Sequence, residues 1–523
     1  MSLAPKSPDK KYLLFLINPR QKYTNYYAQV ELSRIMGVKK FMIPLAIPMV
    51  AALVPEEYDI RIIDEEIDPL TDDLLPDVVG ISTLASTAGR SYEIAVWYRS
   101  KGVPVIIGGP YVSFDQEAAL KHCDAIVVGE AEGLWQECLS DLHQGKMKSV
   151  YQRAGFCDFR KSPPPRWDLI PRDYFFQVGV QISRGCPYEC EFCLVTELFG
   201  HEMRYREIDN VIEELKSLPV RKVLFVDDNL TVNKRYAREL MARIRPLGLS
   251  WGCMASIEIA NDTELLREMK AAGCFNILIG FESLNADSLD ETHKKQNRAA
   301  SIFEEAIAKI HAEGIHITAS FMIGFDSDTP AEFNKIFQFT QRTGLSYLNF
   351  NILGAIPGSE LHRRLKSEGR LYDIEPELIS GLFPTMHYYE MGQLELFDLY
   401  LETIRKMYDY RSLYEKAKVL FGKGTFNQLF HDGKPSAGFR ARIVFYLIGQ
   451  WWFTRHLYKR KLFNYLFGLV IRKKAAIDNA SAYILAMIGY HDHIEKLVTN
   501  AEEYREIVRK HDRGPWKNMR PAP

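Results

Sequence analysis

The 523-residue sequence predicts an α/β fold in three parts: an N-terminal doubly wound parallel sheet, a central partial (β/α)6 barrel, and a C-terminal, mostly helical domain. Three observations carry that expectation. Short apolar runs alternate with amphipathic helical patterns along the first 380 or so positions. A proline-rich stretch, KSPPPRWDLIP (161–171), breaks the alternation into two blocks. Beyond about residue 380 the strand pattern stops. The boundaries implied are 1–160, a linker at 161–177, then 178–380 and 381–523.

In the first block YLLFLINP (12–19), YDIRIIDEE (58–66), DVVGISTL (77–84), VPVIIGGP (103–110) and DAIVVGEAEG (124–133) read as strands. SYEIAVWYRSKG (91–102) and EGLWQECLSDLHQG (132–145) read as helices, the latter stopped by Gly145. In the second block VGVQISRG (178–185), KVLFVDDN (222–229), LSWGCMASIE (249–258), FNILIGFES (275–283), HITASFMIGF (316–325) and LNFNILGAI (348–356) are strands. Helices such as NDTELLREMKAAG (261–273) and AASIFEEAIAKIHAEG (299–314) lie between them. Six such units are too few to close an eight-stranded barrel, and in βα arrays chemistry gathers at the carboxyl ends of the strands. A final charged helix is expected near 493–511.

Composition is that of a globular protein, 47% hydrophobic and 25% charged, and a net charge of −1 gives no global field toward nucleic acid. The polar opening MSLAPKSPDKK and the lack of any run of about 20 apolar residues point to a cytoplasmic protein. Eight Cys are too few for a disulfide framework at this length, yet three of them crowd into positions 186–193.

That loop, SRGCPYECEFC (183–193), sets Cys186, Cys190 and Cys193 at C-x3-C-x2-C spacing directly after a strand. Three thiolates can hold three corners of an iron–sulfur cubane and leave one iron open to a ligand. Zinc is the competing reading, but it needs a closed set of four ligands. Cys157, Cys253, Cys274 and His201 are the candidates for the fourth.

CPYECEFC, with an aromatic residue before its last Cys, resembles the signature of the radical S-adenosylmethionine (SAM) superfamily. The resemblance implies a [4Fe–4S] cluster on Cys186, Cys190 and Cys193, with SAM chelated at the open iron and cleaved reductively to a 5′-deoxyadenosyl radical. It implies that Phe192 packs near the adenine. FVDDN (225–229) stands where the superfamily contacts the methionyl amino group, with Asp227 and Asp228 in place of the commoner Gly-Gly-Glu. LIGFES (278–283) resembles the strand with a SAM-contacting Glu, here Glu282, and ASFMIGF (319–325) resembles the Gly-rich strand under the adenine, with Gly324. Glu258, which ends the intervening strand, is a further candidate SAM contact, and AIPGSEL (355–361) is similar to the element after the last one. Taken singly, Asp227 could cap a helix and Glu282 could be a solvated strand end.

VVGISTLAST (78–87), IIGGPYVSFD (106–115) and DAIVVGEAEG (124–133) place small and hydroxylated residues at strand ends, where backbone can approach a large planar ligand. Ordinary glycine turns would read the same way. Followed by the cysteine loop, the order is similar to the Rossmann-like cobalamin-binding domain of cobalamin-dependent radical SAM enzymes. The resemblance implies corrin and nucleotide-tail contacts at Ser82, Thr83, Gly108, Gly109, Gly129 and Glu130, with FMIPLAIPMVAAL (41–53) beside the lower face. The chain departs from relatives in two ways. It lacks the Asp-x-His-x-x-Gly motif that supplies a lower-axial His, and it has Tyr111 where a His often follows the Gly pair.

In the C-terminal region, residues 439–474 are dense in aromatic and aliphatic side chains. From Gly433 to Ile477 there are ten Lys or Arg and no Asp or Glu. Such a segment suits peripheral contact with anionic lipid, or alternatively a bundle with the aromatics in its core. No nucleic-acid-binding module is recognisable, and none is expected to bind.

The resemblance implies an enzyme that methylates an unactivated carbon of a small hydrophobic substrate, as family members do on hopanoids, tetraether lipids and tetrapyrroles. It needs a flavodoxin- or ferredoxin-like electron donor. Radical cyclisation, C–C coupling or oxidation without methyl transfer is the enzymatic alternative, and an iron–sulfur or zinc-stabilised binding module the non-enzymatic one.

Overall fold

The computed structural model describes residues 3, 6–7, 10–23, 30–294, 302–422, 426 and 437–519. The first seven strands are β1 (Tyr12–Asn18), β2 (Lys40–Met42), β3 (Tyr58–Asp64), β4 (Val78–Ser82), β5 (Val105–Gly108), β6 (Ala125–Val128) and β7 (Val150–Gln152). Then follow β8 (Phe175–Val180), β9 (Ser183–Arg184), β10 (Arg204–Tyr205), β11 (Lys222–Phe225), β12 (Ser250–Met254), β13 (Cys274–Glu282), β14 (His316–Ile323) and β15 (Tyr347–Ile352).

The N-terminal sheet has the order β3-β1-β4-β5-β6-β7 and every pairing in it is parallel. Both faces are covered, which explains the near-continuous apolar runs of its strands. Leu14 and Leu16 enter one core with Ile106, Val127 and Trp135, while Phe15 and Ile17 enter the other with Ile81, Ile94 and Val128. The chain leaves β1 toward β3 and returns to β4 on the other side. Between β1 and β4 the crest therefore opens at a switch of strand order, where doubly wound sheets bind ligands.

The second sheet runs β15-β14-β13-β12-β11-β8-β2, again all parallel. Six of its strands are those the sequence predicts. The seventh, β2, comes from well before the proline-rich stretch and pairs with β8 through Lys40↔Phe175 and Met42↔Gln177. Three residues are too few to show a period, so neither β2 nor β7 is legible in the sequence. The proline-rich stretch is itself packed: Trp167 and Ile170 are buried, and Trp167 lies against Phe175.

The C-terminal helices continue the barrel core rather than forming a separate one. Tyr400 Oη donates to Phe350 O (3.0 Å) and Tyr408 Oη to Leu348 O (2.8 Å), which ties the helix Gln393–Tyr408 to β15. The charged end of the chain is two helices, Ile477–Thr499 and Ala501–Arg509, meeting at Asn500.

Candidate functional site

The cysteine loop leaves the barrel at its carboxyl end. β9 pairs antiparallel with β10, and Gly185 follows with φ +100°, where a Cβ would collide with the carbonyl of Glu202. Only glycine allows that turn. Cys186 N–H then donates to Gly200 O (3.1 Å) and Cys193 N–H to Cys190 O (2.9 Å), which curls the loop on itself. The three thiols lie near one another and near the Asp228 carboxylate. Burial pushes the Cys186 thiol up and that of Cys193 to about 12, with the neighbouring thiols and Asp228 acting the same way. Three half-buried cysteines on one curled loop suit an iron–sulfur cluster by the chemistry of their side chains, since positive irons would supply the stabilisation that the thiolates lack there. The candidates for a fourth ligand are engaged elsewhere. Cys157 lies against Arg184 and Arg204, Cys253 and Cys274 interact across β12 and β13, and His201 is exposed.

Around the cup, the strand ends divide their carboxylates. Asp228 is partly open toward the thiols, and burial raises it to about 6. Asp227 turns inward and is fully buried. Its Oδ1 accepts the N–H groups of Ile182 (2.9 Å) and Ser183 and the Ser183 hydroxyl (2.7 Å), so it fastens the start of the cysteine loop. Glu282, at φ +63°, ion-pairs with Lys294, whose Nζ lies 5.9 Å from the centre of the Phe192 ring. Phe192 packs edge-on to Phe325 (6.5 Å between centroids), beside Gly324. Glu258 is exposed and accepts the Tyr188 hydroxyl (2.8 Å) from the same loop.

Burial raises Asp227 to about 7 against the three hydrogen bonds that lower it. A carboxyl higher in the folded state than its unfolded value of about 4 makes stability fall as pH rises from about 4 to 7. Asp227→Asn keeps an acceptor without that titration, so its melting temperature is expected to fall less than that of the wild type between pH 5 and 7.5. Parallel scanning calorimetry of the two proteins checks this, and identical pH slopes would refute it.

At the crest of the N-terminal sheet a cavity of about 320 Å³ opens between the two sheets. Ser82, Gly108, Gly109, Gly129 and Glu130 line it from the N-terminal strand ends, with Leu45, Ile47, Met49 and Leu53 from the 41–53 segment. Gln181, Arg184, Leu198 and Phe199 close it from the flanks of the cysteine loop. Gly109 has φ +110°, and a Cβ there would stand 2.5 Å from Thr83 O. Thr83 lies behind the wall, fully buried, and shapes it through its backbone. Tyr111 is also buried, its hydroxyl donating to Asp115 (3.1 Å). The mainly aliphatic walls and bare glycine backbone suit a broad, flat ligand such as a corrin. Among the described residues lining the cavity there is no histidine.

Three features escape a reading of the sequence. Glu130 does more than line the cavity: its carboxylate is paired with Arg184 (2.7 Å) and Arg204 (3.0 Å) and accepts Cys157 N–H (2.7 Å). Burial would raise Glu130, but those partners hold it below the usual carboxylate range. Arg184 also pairs with Glu132 (2.8 Å). Glu191, between the last two cysteines of the loop, is buried and held by Arg364 of the helix Glu360–Ser367, which also reaches Asp326. Lys294 is the third. All are charged residues, the partners of Glu130 and Glu191 lie far away in sequence, that of Lys294 stands 12 residues before it, and no local period marks them.

Family comparison matches residues 180–340 to the radical SAM superfamily, 35–139 to the B12 binding domain, and 359–505 to a domain of unknown function, DUF4070. The chain is 28% identical over 410 residues to bacteriochlorophyllide d C-12(1)-methyltransferase of Chlorobaculum tepidum, covering 74% of this chain and 88% of that one. It is 31% identical over 359 residues to an uncharacterized methyltransferase of Pyrococcus horikoshii, covering 61% and 77%. In fold it is similar to TsrM of Kitasatospora setae, a radical SAM methyltransferase solved with cobalamin and a [4Fe–4S] cluster. The TM-score is 0.59 at 13% identity, over 92% of this chain and 99% of that one. With the signature loop at a barrel strand end and the sheet crest facing it, this chain belongs to the radical SAM superfamily, in the branch of cobalamin-dependent enzymes that includes methyltransferases, and its cofactors are a [4Fe–4S] cluster, SAM and cobalamin.

Proposed function

We propose that the chain methylates an unactivated carbon of a small hydrophobic substrate, with Cys186, Cys190 and Cys193 as the cluster ligands and the crest cavity as the cobalamin site. The observation that carries this reading is the shared wall: residues 181–199 bear the three cysteines and also close the cavity lined by Ser82, Gly108, Gly109 and Gly129. Two cofactors held on opposite sides of one segment can serve one substrate carbon. When bound, the cluster with SAM supplies a hydrogen-abstracting radical and the corrin a transferable methyl group.

The chain's own residues bind, orient and exclude water. Asp228 and Glu282 stand at strand ends as acceptors for the ammonium of SAM, and Phe192 with Phe325 offers an apolar edge to the adenine. Lys294 holds Glu282 in place. The aliphatic side chains of 45–53 and Trp135 keep water from the corrin face. A low-potential flavodoxin- or ferredoxin-like donor supplies the electron. The hydrophobic-substrate clause is supported by the relative named for bacteriochlorophyllide d, a tetrapyrrole.

The test is anaerobic incubation of reconstituted protein with a one-electron reductant and methyl-labelled SAM. Formation of 5′-deoxyadenosine together with label in the corrin fraction is expected. If 5′-deoxyadenosine forms while all label stays on SAM, methyl transfer is wrong, and radical cyclisation or oxidation takes its place.

A further inference from the structure

The helices Ala437–Phe453 and Leu457–Ile471 form a hairpin whose turn is closed by His456, Nδ1 accepting the Lys459 N–H (3.3 Å). One side of the hairpin is anchored. Ile443, Tyr446 and Leu447 pack with Leu32, Ile35 and Leu485, and Leu462, Phe463 and Leu466 enter the main core. The other side is bare. On the first helix Phe445 is 73% exposed, Trp452 69% and Phe453 82%, with Ile448 on the same face. Leu457, Phe467 and Ile471 carry the exposed apolar surface onto the second helix. The Trp451 ring stacks on that of Phe467, with 6.5 Å between centroids, and joins the two rows.

Folding normally buries side chains of this kind, and a continuous exposed face of them marks a contact surface. Its charge says what it contacts. Arg455 in the turn, Arg460 and Lys461 beside it, and Arg472, Lys473 and Lys474 at the far end are all exposed. No Asp or Glu occurs between Gly433 and Ile477. A second copy of the chain meeting this face about a twofold axis would set the same cations against each other. Nucleic acid would meet the cations and stack on the rings, but would leave Ile448, Leu457 and Ile471 without a hydrocarbon partner. Anionic lipid satisfies both features: acyl chains accept the apolar side chains and headgroups the cations.

We propose that this hairpin face docks on the surface of an anionic lipid bilayer, lying in the interfacial plane. No helix among the described residues is long and apolar enough to cross a membrane. The docking is independent of the methyl-transfer reading and would hold whatever reaction the barrel performs.

The experiment is sedimentation of the full holoprotein with vesicles of phosphatidylcholine alone and with vesicles that also carry phosphatidylglycerol, at low and high salt. Binding is expected to the anionic vesicles, weakening with salt. Trp452→Glu with Phe453→Glu should weaken it by roughly tenfold or more, as should Lys473→Glu with Lys474→Glu. Cleavage of SAM should be unchanged in both, which separates failed docking from failed folding or failed chemistry. The proposal is overturned if wild-type protein stays in solution with anionic vesicles, if it binds nucleic acid in place of vesicles, or if the aromatic substitutions only split a dimer.

Discussion

Replacing Cys186 with alanine is expected to lower reductive cleavage of SAM by at least about 10³-fold while leaving the melting temperature of the apoprotein within a few degrees of the wild type. The first effect follows from ligand count. Two thiolates do not hold a cubane with one open iron, so the cluster and the site that chelates SAM are lost together. The second follows from position. Cys186 lies past the carboxyl end of β8, on a loop shaped by Gly185 and by the hydrogen bond from its own backbone N–H to Gly200, both of which survive the substitution. Iron and sulfide content, 5′-deoxyadenosine formation and calorimetry on the same preparation check it. Undiminished SAM cleavage would show that Cys186 is not a cluster ligand. A collapse of the apoprotein's melting temperature would show that the loop is part of the core.

Breaking the ion network between the two sheets is expected to cost about 3–5 kcal/mol of stability in Arg184→Met, toward the lower end of that range. The side chains of Arg184 and Glu130 are 6% and 3% exposed, so removing the guanidinium leaves Glu130 and Glu132 charged in a nearly dry setting. Arg204 remains 3.0 Å from Glu130 and offsets part of the loss. Methionine fills the space beside Phe159, over whose ring the guanidinium lies at 4.1 Å. Adding Glu130→Gln should restore part of the loss, because one of the two stranded charges is then gone. Urea or thermal unfolding of the two single variants and the double variant measures the coupling. A strictly additive cycle would deny the pair. Because Arg184 and Glu130 also line the cavity, corrin affinity, followed by absorbance titration, should fall in Arg184→Met and recover in parallel.

Legibility in the sequence follows the range of the interaction that fixes each feature. The cysteine spacing, Gly185 and the long strands of both sheets are local patterns, visible because side-chain period and turn geometry are written over fewer than ten residues. The glycine-bearing strand ends at Ser82, Gly108, Gly109 and Gly129 are equally local, and they line one cavity. The Asp227–Asp228 pair shows where local reading stops. The two are neighbours in sequence, yet one is enclosed by donors from 182–183 and the other faces the thiols, because successive strand-end residues point to opposite sides.

The sequence by itself determined the fold class, the three-part order of the chain, the signature spacing of Cys186, Cys190 and Cys193, and the excess of cations in the tail. Only the tertiary structure decided that β2 crosses into the barrel sheet, that Glu191 is held by Arg364 and Glu130 by Arg184 and Arg204, and which tail aromatics are buried and which are bare. In each case the partner lies far away in sequence. Burial and ion pairing depend on what folding brings alongside a residue, and neither periodicity nor composition encodes that neighbour.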